Sequence, residues 1–475
     1  MIPTIGLEVH AQLRTSSKIF CGCSAAFGAA PNTQVCPVCL GLPGALPVLN
    51  ARAVEFALRA ALAFDCTIHP VSRFARKHYF YPDLPKGYQI SQYDEPLATG
   101  GAVVVEGDSG PCTVGLVRIH IEEDAGKSLH LDEDGTAVDF NRSGVGLIEI
   151  VTRPEIASAA LAAACVSRIR DVLVALGVND GNMEEGSLRC DANVSIRAGN
   201  AAPLGVKTEV KNINSFRFLQ RAIDFEVTRQ TALVDAGREV EPETRLWDPG
   251  AGRTVSMRHK EGAHDYRYFP EPDLLPLTVS AEWIAGVRAA MPEMPDAKRK
   301  RFVREYTLPE YDAGVLTRSF ALAEYFEATA AACGDPKAAS NWIMSDALGR
   351  LNASGMTISD LRVTPGALAG LIRLVESGRI TGPTAKAVFE RMFAEGGDAE
   401  TIVAAEGLAR VDDDGAIERI VRDTLAQHQT PVAQYRAGKR QALGFLVGQV
   451  MKASGGRTDP ARVTATLRRI LDAHD

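Results

Sequence analysis

Four short stretches of this chain alternate between apolar and charged or polar residues, and that period of two commits its N-terminal part to β-strands with one buried and one polar face. In residues 5–13, Leu7, Val9, Ala11 and Leu13 fall on one side, and Glu8, His10 and Gln12 on the other. In residues 117–122, Val117, Ile119 and Ile121 are expected in the core, opposite Arg118, His120 and Glu122. In residues 188–196, Cys190, Ala192, Val194 and Ile196 oppose Arg189, Asp191, Asn193 and Ser195. In residues 206–212, Val206, Thr208 and Val210 oppose Lys207, Glu209 and Lys211. Any one of these could be the solvated face of an antiparallel sheet. Four faces that each mix carboxylates with His, Arg, Lys or amides suit a multiply charged ligand better. Sharing one sheet, they would pool carboxylates for metal and cations for phosphate.

Particular residues sharpen that reading. Glu8 and His10 share a strand face, and Glu149 stands inside the apolar run 147–151, where it is costly to bury unless paired or metal-bound. Glu122, Glu123 and Asp124 offer more oxygen ligands at a strand end, although parity sends Glu122 and Glu123 to opposite sides. Hard oxygen ligands with one histidine favour magnesium over zinc. Residues 76–88 and 265–273 interleave cations with aromatics, a texture that suits phosphate binding or base stacking, or else a Pro-rich surface loop. Neither a Gly-x-x-x-x-Gly-Lys-Ser/Thr loop nor a Gly-x-Gly-x-x-Gly turn accompanies them, so a nucleotide site here is neither a P-loop nor a Rossmann site.

Cys21-x-Cys23 and Cys36-x-x-Cys39, twelve residues apart, follow the logic of a zinc ribbon, with four thiolates closing a tetrahedral structural site. A redox pair would leave the second pair of cysteines without a role. The remaining five of the nine cysteines are expected to act as small buried apolar residues.

A length of 475 residues implies about three domains. With 46% hydrophobic and 23% charged residues, wholesale disorder is excluded, and a net charge of −7 argues against non-specific coating of nucleic acid. No apolar run reaches the roughly 18 residues of a membrane span, and no basic segment followed by an apolar stretch opens the chain, so a cytoplasmic protein is expected. Helix signals are clear. Asn50 can cap one helix, a second spans 158–176 before Gly177, and a third spans 215–236 before Gly237. Beyond residue 290 helices follow one another, with Thr364-Pro365 opening one that Gly378 closes and Asp459-Pro460 opening the last. The Pro/Met-rich stretch 291–295 and the acidic loop Asp412-Asp413-Asp414 mark boundaries. We therefore expect an α+β domain with an antiparallel sheet and a zinc knuckle insert over residues 1–290. An all-α domain over 291–408 and a small helical tail over 409–475 would follow. From Pro431 onward eight basic residues face three acidic ones, opposite in sign to the whole chain, as a phosphate-gripping surface or a solvated helix face would have.

Ordered motifs along the chain resemble one family. They are Ile5-Gly6-Leu7-Glu8-Val9-His10, Tyr79-Phe80-Tyr81-Pro82-Asp83, Gln89-Ile90-Ser91-Gln92 and Glu122-Glu123-Asp124-Ala125-Gly126-Lys127. Further on come residues 183–193, 211–215 and 266–273, and Gly444-Phe445-Leu446-Val447-Gly448-Gln449 near the end. The family is the B subunit of aspartyl/glutamyl-tRNA(Asn/Gln) amidotransferase, GatB. The resemblance implies a glutamine-synthetase-like cradle domain, a helical domain and a tRNA-contacting tail. It implies a ligase that uses ATP and Mg2+ to phosphorylate the side-chain carboxylate of Glu-tRNA(Gln) or Asp-tRNA(Asn), with ammonia from glutamine displacing the phosphate. Partners would be the glutaminase A subunit, the small C subunit and the misacylated tRNA, with no membrane. No Ser-Lys amidase arrangement is readable in this chain, which agrees with ammonia made elsewhere. Carried over by motif, Glu8, His10, Glu122, Glu123 and Glu149 look like magnesium ligands. Lys77, Arg189, Lys207 and Lys211 look like phosphate neutralisers, with Asp191 joining a second metal. The zinc quartet rests on this chain's own cysteines. One departure from the family pattern, Gly146 in place of proline, is expected to loosen the approach to Glu149. A non-catalytic tRNA-binding scaffold and a stand-alone ligase for a small acid also fit the residues taken alone.

Overall fold

The alternating stretches become neighbouring strands. The computed structural model describes residues 1–107, 110–130, 135–199, 201–259, 266–411 and 413–473; Asp265, Asp412 and Asp475, used in the sequence reading, lie outside them. The strand Ile2–Gln12 runs antiparallel between Leu188–Arg197 on one side and Gly146–Thr152 on the other. Gly110–Glu123 continues the sheet beyond Gly146–Thr152. Thr208–Lys211, Glu243–Asp248 and Arg253–His259 extend the opposite side of a ten-stranded sheet.

One face of this sheet is the core. Leu7, Val9, Ala11, Ile119, Ile121, Ile148, Ile150, Ala192 and Val194 are fully buried, packed in one cluster with the helices Ala51–Ala63, Ala159–Ala175 and Phe216–Asp235. Each large aliphatic side chain so covered contributes about 1.5–3 kcal/mol. The helices begin where the sequence placed their caps. Asn50 Oδ1 accepts from Arg52 N (2.9 Å), and Ser158 and Ser215 accept from Leu161 N and Phe218 N (both 3.1 Å). Gly177 and Gly237 follow the last two with φ of +67° and +69°, a backbone that ends a helix without a Cβ penalty.

Two strand expectations need correction. Val117 does not face the core. Val151 pairs with Arg118 and Thr152 with Leu116, so Val117 is the extra residue of a β-bulge; Leu116 takes the inward place and Val117 is 42% exposed. The stretch 206–212 is strand only over Thr208–Lys211, and Lys207 precedes it on the exposed surface.

The chain divides into two compact units, Met1–Met294 and Pro295–Asp475. The second is helical throughout its described residues and holds two separate hydrophobic clusters, one within 302–403 and one within 417–471. Thr364 and Asp459 cap the helices Pro365–Glu376 and Pro460–Asp472, each with proline in its first turn. Among the described residues no helix is long and apolar enough to cross a membrane.

Under the helix Phe216–Asp235 lies a buried polar knot. Glu226, fully buried, accepts from Arg229 Nη2 (2.5 Å), Gln230 Nε2 (2.9 Å) and Thr254 Oγ1 (3.1 Å), with Arg245 Nε at 3.7 Å. Glu226→Ala removes the fully buried carboxylate shared by Arg229, Gln230 and Thr254 and leaves Glu243 as the remaining partner of Arg229 (3.4 Å) and Arg245 (2.7 Å); it is expected to cost about 3 kcal/mol, against about 1 kcal/mol for loss of the Ser215 cap in Ser215→Ala. Denaturant unfolding of the two variants measures the difference.

Candidate functional site

Sheet register builds the site on the polar face. His10 pairs with Arg189 on one neighbour and Glu149 on the other, and Glu149 pairs in turn with His120, giving a row Arg189–His10–Glu149–His120 across four strands. One step along, Glu8 pairs with Asp191. The residues that alternation sent outward thus meet in two adjacent groups.

In the first group, ligand atoms of His10, Glu122 and Glu149 lie within 4.8 Å of one another. His10 Nε2 is 3.6 Å from Glu122 and 3.8 Å from Glu149. His120, on the same strand face as Glu122 but not singled out from the sequence, reaches both carboxylates from the buried side, 3.1 Å from Glu149 and 3.6 Å from Glu122. Burial disfavours a charged ring, yet Glu149 and Glu122 outweigh it and raise the His120 pKa to about 9. On the other side of the ring Arg118 Nε lies 3.3 Å from Nδ1. Glu149 is held well below the usual carboxylate range; burial pushes it up, but His120, His10 and Lys77 outweigh burial.

In the second group, Glu8, Asp191 and Glu209 place oxygens within 4.8 Å. Asn193 Nδ2 donates to Glu8 (2.8 Å) and Thr244 Oγ1 to Glu209 (2.9 Å). Lys211 Nζ bridges Asp191 (2.5 Å) and Glu209 (3.2 Å). Clusters of oxygen ligands with one or two imidazoles fit magnesium better than a softer metal.

Glu123 lies apart from both groups. As parity requires, it turns away from Glu122, pairs with Lys86 and accepts from Ile90 N (2.9 Å). It lines a cavity of 190 Å³ with Lys86, Tyr88, Asp273, Cys39 and Gly41. The five residues expected as one magnesium set therefore occupy three places: Glu8 in the second group, Glu123 by this cavity, and His10, Glu122 and Glu149 together.

The expected phosphate cations also separate. Arg189 is bound to Asp124 (2.9 Å) and Lys211 to its two carboxylates, whereas Lys207 is exposed outside the strand. Lys77 has no ion pair among the described residues; its ammonium lies against the Tyr266 and Tyr79 rings (5.1 and 5.8 Å) and near enough to Glu149 to lower its pKa. The two cation–aromatic segments prove to be neighbours. Phe269–Pro270 pairs with Ala75–Arg76, Arg76 clasps Glu271 through two bonds of 2.8 Å, and Tyr268 stacks on Tyr93 at 4.1 Å. Gly146, expected to loosen the approach to Glu149, is packed and paired at the start of that strand. Its carbonyl accepts from Leu13 N (2.8 Å), and a Cβ there would meet Ile19 and Leu13 at 3.4 Å.

The four knuckle cysteines bring their sulfurs within 4.8 Å of one another. Cys39 is lowered to about 4, first by the Cys21 thiol donating to it and also by Cys36 N–H and Lys18, while Cys21 and Cys23 are raised. Four converging sulfurs with one already favoured as thiolate is a donor set suited to zinc.

A face of pooled carboxylates, imidazoles and cations on an α+β scaffold is a donor set suited to multiply charged ligands and divalent metal. Comparison with known proteins narrows the class. Residues 3–285 match the GatB/GatE catalytic domain and residues 324–471 the GatB domain. The aspartyl/glutamyl-tRNA(Asn/Gln) amidotransferase subunits B of Moorella thermoacetica and Myxococcus xanthus are each 53% identical over 470 residues, covering 98–99% of both chains. That of Trichlorobacter lovleyi is 51% identical over 469 residues and 99% of each chain. The chain belongs to the GatB family.

Acid should undo the site in a defined direction. Asp124 is buried, which by itself raises its pKa, but Arg189, Arg142 and Gln12 more than offset this and hold it below the usual 3.8. A depressed carboxylate stabilises the fold above its unfolded pKa, and that contribution is lost as pH falls through the folded value. Stability is therefore expected to fall below about pH 4, more steeply in the wild type than in Asp124→Asn, as thermal melts across pH would show.

Proposed function

We propose that this chain is the B subunit of a glutamine-dependent aspartyl/glutamyl-tRNA amidotransferase, converting Glu-tRNA(Gln), Asp-tRNA(Asn) or both to the amidated form. In this reading it acts with a glutaminase A subunit and a small C subunit. Full-length identity above 50% to curated B subunits supports it. The observation that carries the chemistry is the row Arg189–His10–Glu149–His120 with Glu8 and Asp191 beside it.

Activating a carboxylate with ATP means bringing two anions together. Magnesium, held by His10, Glu122 and Glu149 and a second ion by Glu8, Asp191 and Glu209, would supply the positive charge that permits this. The chain's own residues do the rest. Lys77, with no ion pair among the described residues, is placed to meet a phosphate. Arg189, Lys211 and Arg76 hold carboxylates in position, and His120 orients Glu149 and Glu122 from the buried side. The rings of Tyr79, Tyr266, Tyr268 and Tyr93 pack against one another beside the site. At the knuckle, Cys21, Cys23, Cys36 and Cys39 would hold a structural zinc.

The test is ATP turnover by the assembled complex. It should require misacylated tRNA and fall at least about 100-fold in Glu149→Gln or Lys77→Met, the scale of losing one preorganised charge contact. Turnover of free glutamate without tRNA, or full activity in Glu149→Gln, would refute the assignment.

The tail offers a second check. Arg462, Arg469 and Asp459 are engaged in ion pairs with Asp414, Glu418 and Arg410, but Arg436, Lys439, Arg440, Lys452 and Arg468 are exposed and have no ion pair among the described residues. Replacing Arg436, Lys439 and Arg440 by alanine should weaken tRNA binding and reduce the salt slope of log affinity by about two to three, without altering melting of the protein.

A further inference from the structure

Lys18 is the most anomalous side chain outside the proposed active site: a lysine with no exposed surface. Lysine is almost never fully buried unless an anion accompanies it. Among the described residues no carboxylate lies within ion-pair distance of Lys18. Its ammonium has two partners, the carbonyl of Phe140 at 3.2 Å and Sγ of Cys39 at 3.6 Å. A carbonyl satisfies a donor but does not cancel a charge.

The other partner looks different from its own side. Cys39 Sγ receives two N–H donors, Lys18 Nζ and the backbone N of Cys36 at 3.2 Å. Both donors are of the kind that strengthen when the sulfur they face is a metal-bound thiolate. The packing holds this contact in place. Gly144, at φ +81°, passes so close that a Cβ would sit 3.4 Å from Cys39 Cβ and 3.7 Å from Lys18 Cδ. Ser143 Oγ donates to Cys39 O (3.2 Å), and Ile19 N donates to Gly144 O (2.9 Å). Lys18 is thus walled in between the knuckle and the 140–144 turn, with its charge aimed at one cysteine.

We propose that Lys18 is the built-in counter-charge of a metal–thiolate centre at Cys21, Cys23, Cys36 and Cys39, a positioning residue that retains the metal by donating to the Cys39 thiolate. The inference rests on the reading of the quartet as a zinc site. A four-thiolate zinc centre carries a net charge of −2 in a half-buried setting, and one buried ammonium offsets half of it. Without metal, the same ammonium faces the single Cys39 sulfur instead of a centre of charge −2, so it contributes less to stability. Loss of Lys18 therefore costs the loaded protein more than the stripped one, whereas loss of a lysine kept only for packing costs both equally.

The experiment uses the full chain with zinc as the probe. Zinc retention against a competing chelator and the melting temperature are measured for wild type and Lys18→Met, loaded and then stripped under reductant. Lys18→Met is expected to release zinc about 10–100-fold more readily, the usual cost of losing an outer-sphere partner. Loaded, it should melt below the wild type; stripped, the difference should shrink. Equal zinc retention in both proteins, or an equal loss of melting temperature with and without zinc, would overturn the proposal while leaving the zinc site standing. A wild type that holds no zinc at all would overturn the zinc reading and this inference together. Should Lys18→Met not fold, the pair Cys39→Ser and Cys39→Ser/Lys18→Met replaces it. The double variant is expected to be the more stable of the two, and a less stable double variant refutes the role.

Discussion

Everything in the N-terminal unit depends on the register of one strand. Ile2–Gln12 is paired on both sides, so its alternation decides at once what enters the core and what enters the site. A slip of one residue would send Leu7, Val9 and Ala11 to the polar face and bury Glu8 and His10 among aliphatic side chains. The core that three helices build against this face therefore also fixes the His10–Glu149 and Glu8–Asp191 pairings. Stability and chemistry are set by the same hydrogen-bond ladder.

What was legible in the sequence was what short-range physics determines. Caps at Asn50, Ser158 and Ser215 and the inward set on Ile2–Gln12 follow from local side-chain chemistry and period. The bulge at Val117 was not legible, because it arises from pairing with a strand thirty residues away and leaves no trace in the alternation. Lys207 was misread for a related reason: a period of two says which way a residue would point in a strand, not where the strand stops. His120 had a visible signal, its position two residues before Glu122 on the same face. It was passed over because nothing local shows that Glu149 would lie directly opposite.

The same limit explains the scattered ligand set. The family motifs group Glu8, His10, Glu122, Glu123 and Glu149 as one magnesium set. The fold sorts them by face and by row. Glu122 and Glu123, adjacent in the chain, end on opposite sides of the sheet, one among imidazoles and the other on Lys86 beside the cavity. Parity in residues 117–123 anticipates that separation, which a motif carried over along the chain does not express.

Charge pairing inside the first unit also carries a functional asymmetry. Asp124, Asp191, Glu209, Glu226 and Glu271 each have a cation at hand, and Arg189, Lys211, Arg229 and Arg76 are largely neutralised by them. A site built only from such pairs would be electrically quiet and would gain little from binding an anion. The exceptions stand where binding has to happen. His10, Glu122 and Glu149 form a cluster with more acid than it has Lys or Arg to match, and Lys77 waits beside it against two tyrosine rings. In the proposed reading, an excess of carboxylate next to an ammonium with no ion pair among the described residues would attract a divalent cation and a phosphate together. The paired residues around them keep that excess from collapsing into an internal salt bridge, because their own charges are already committed.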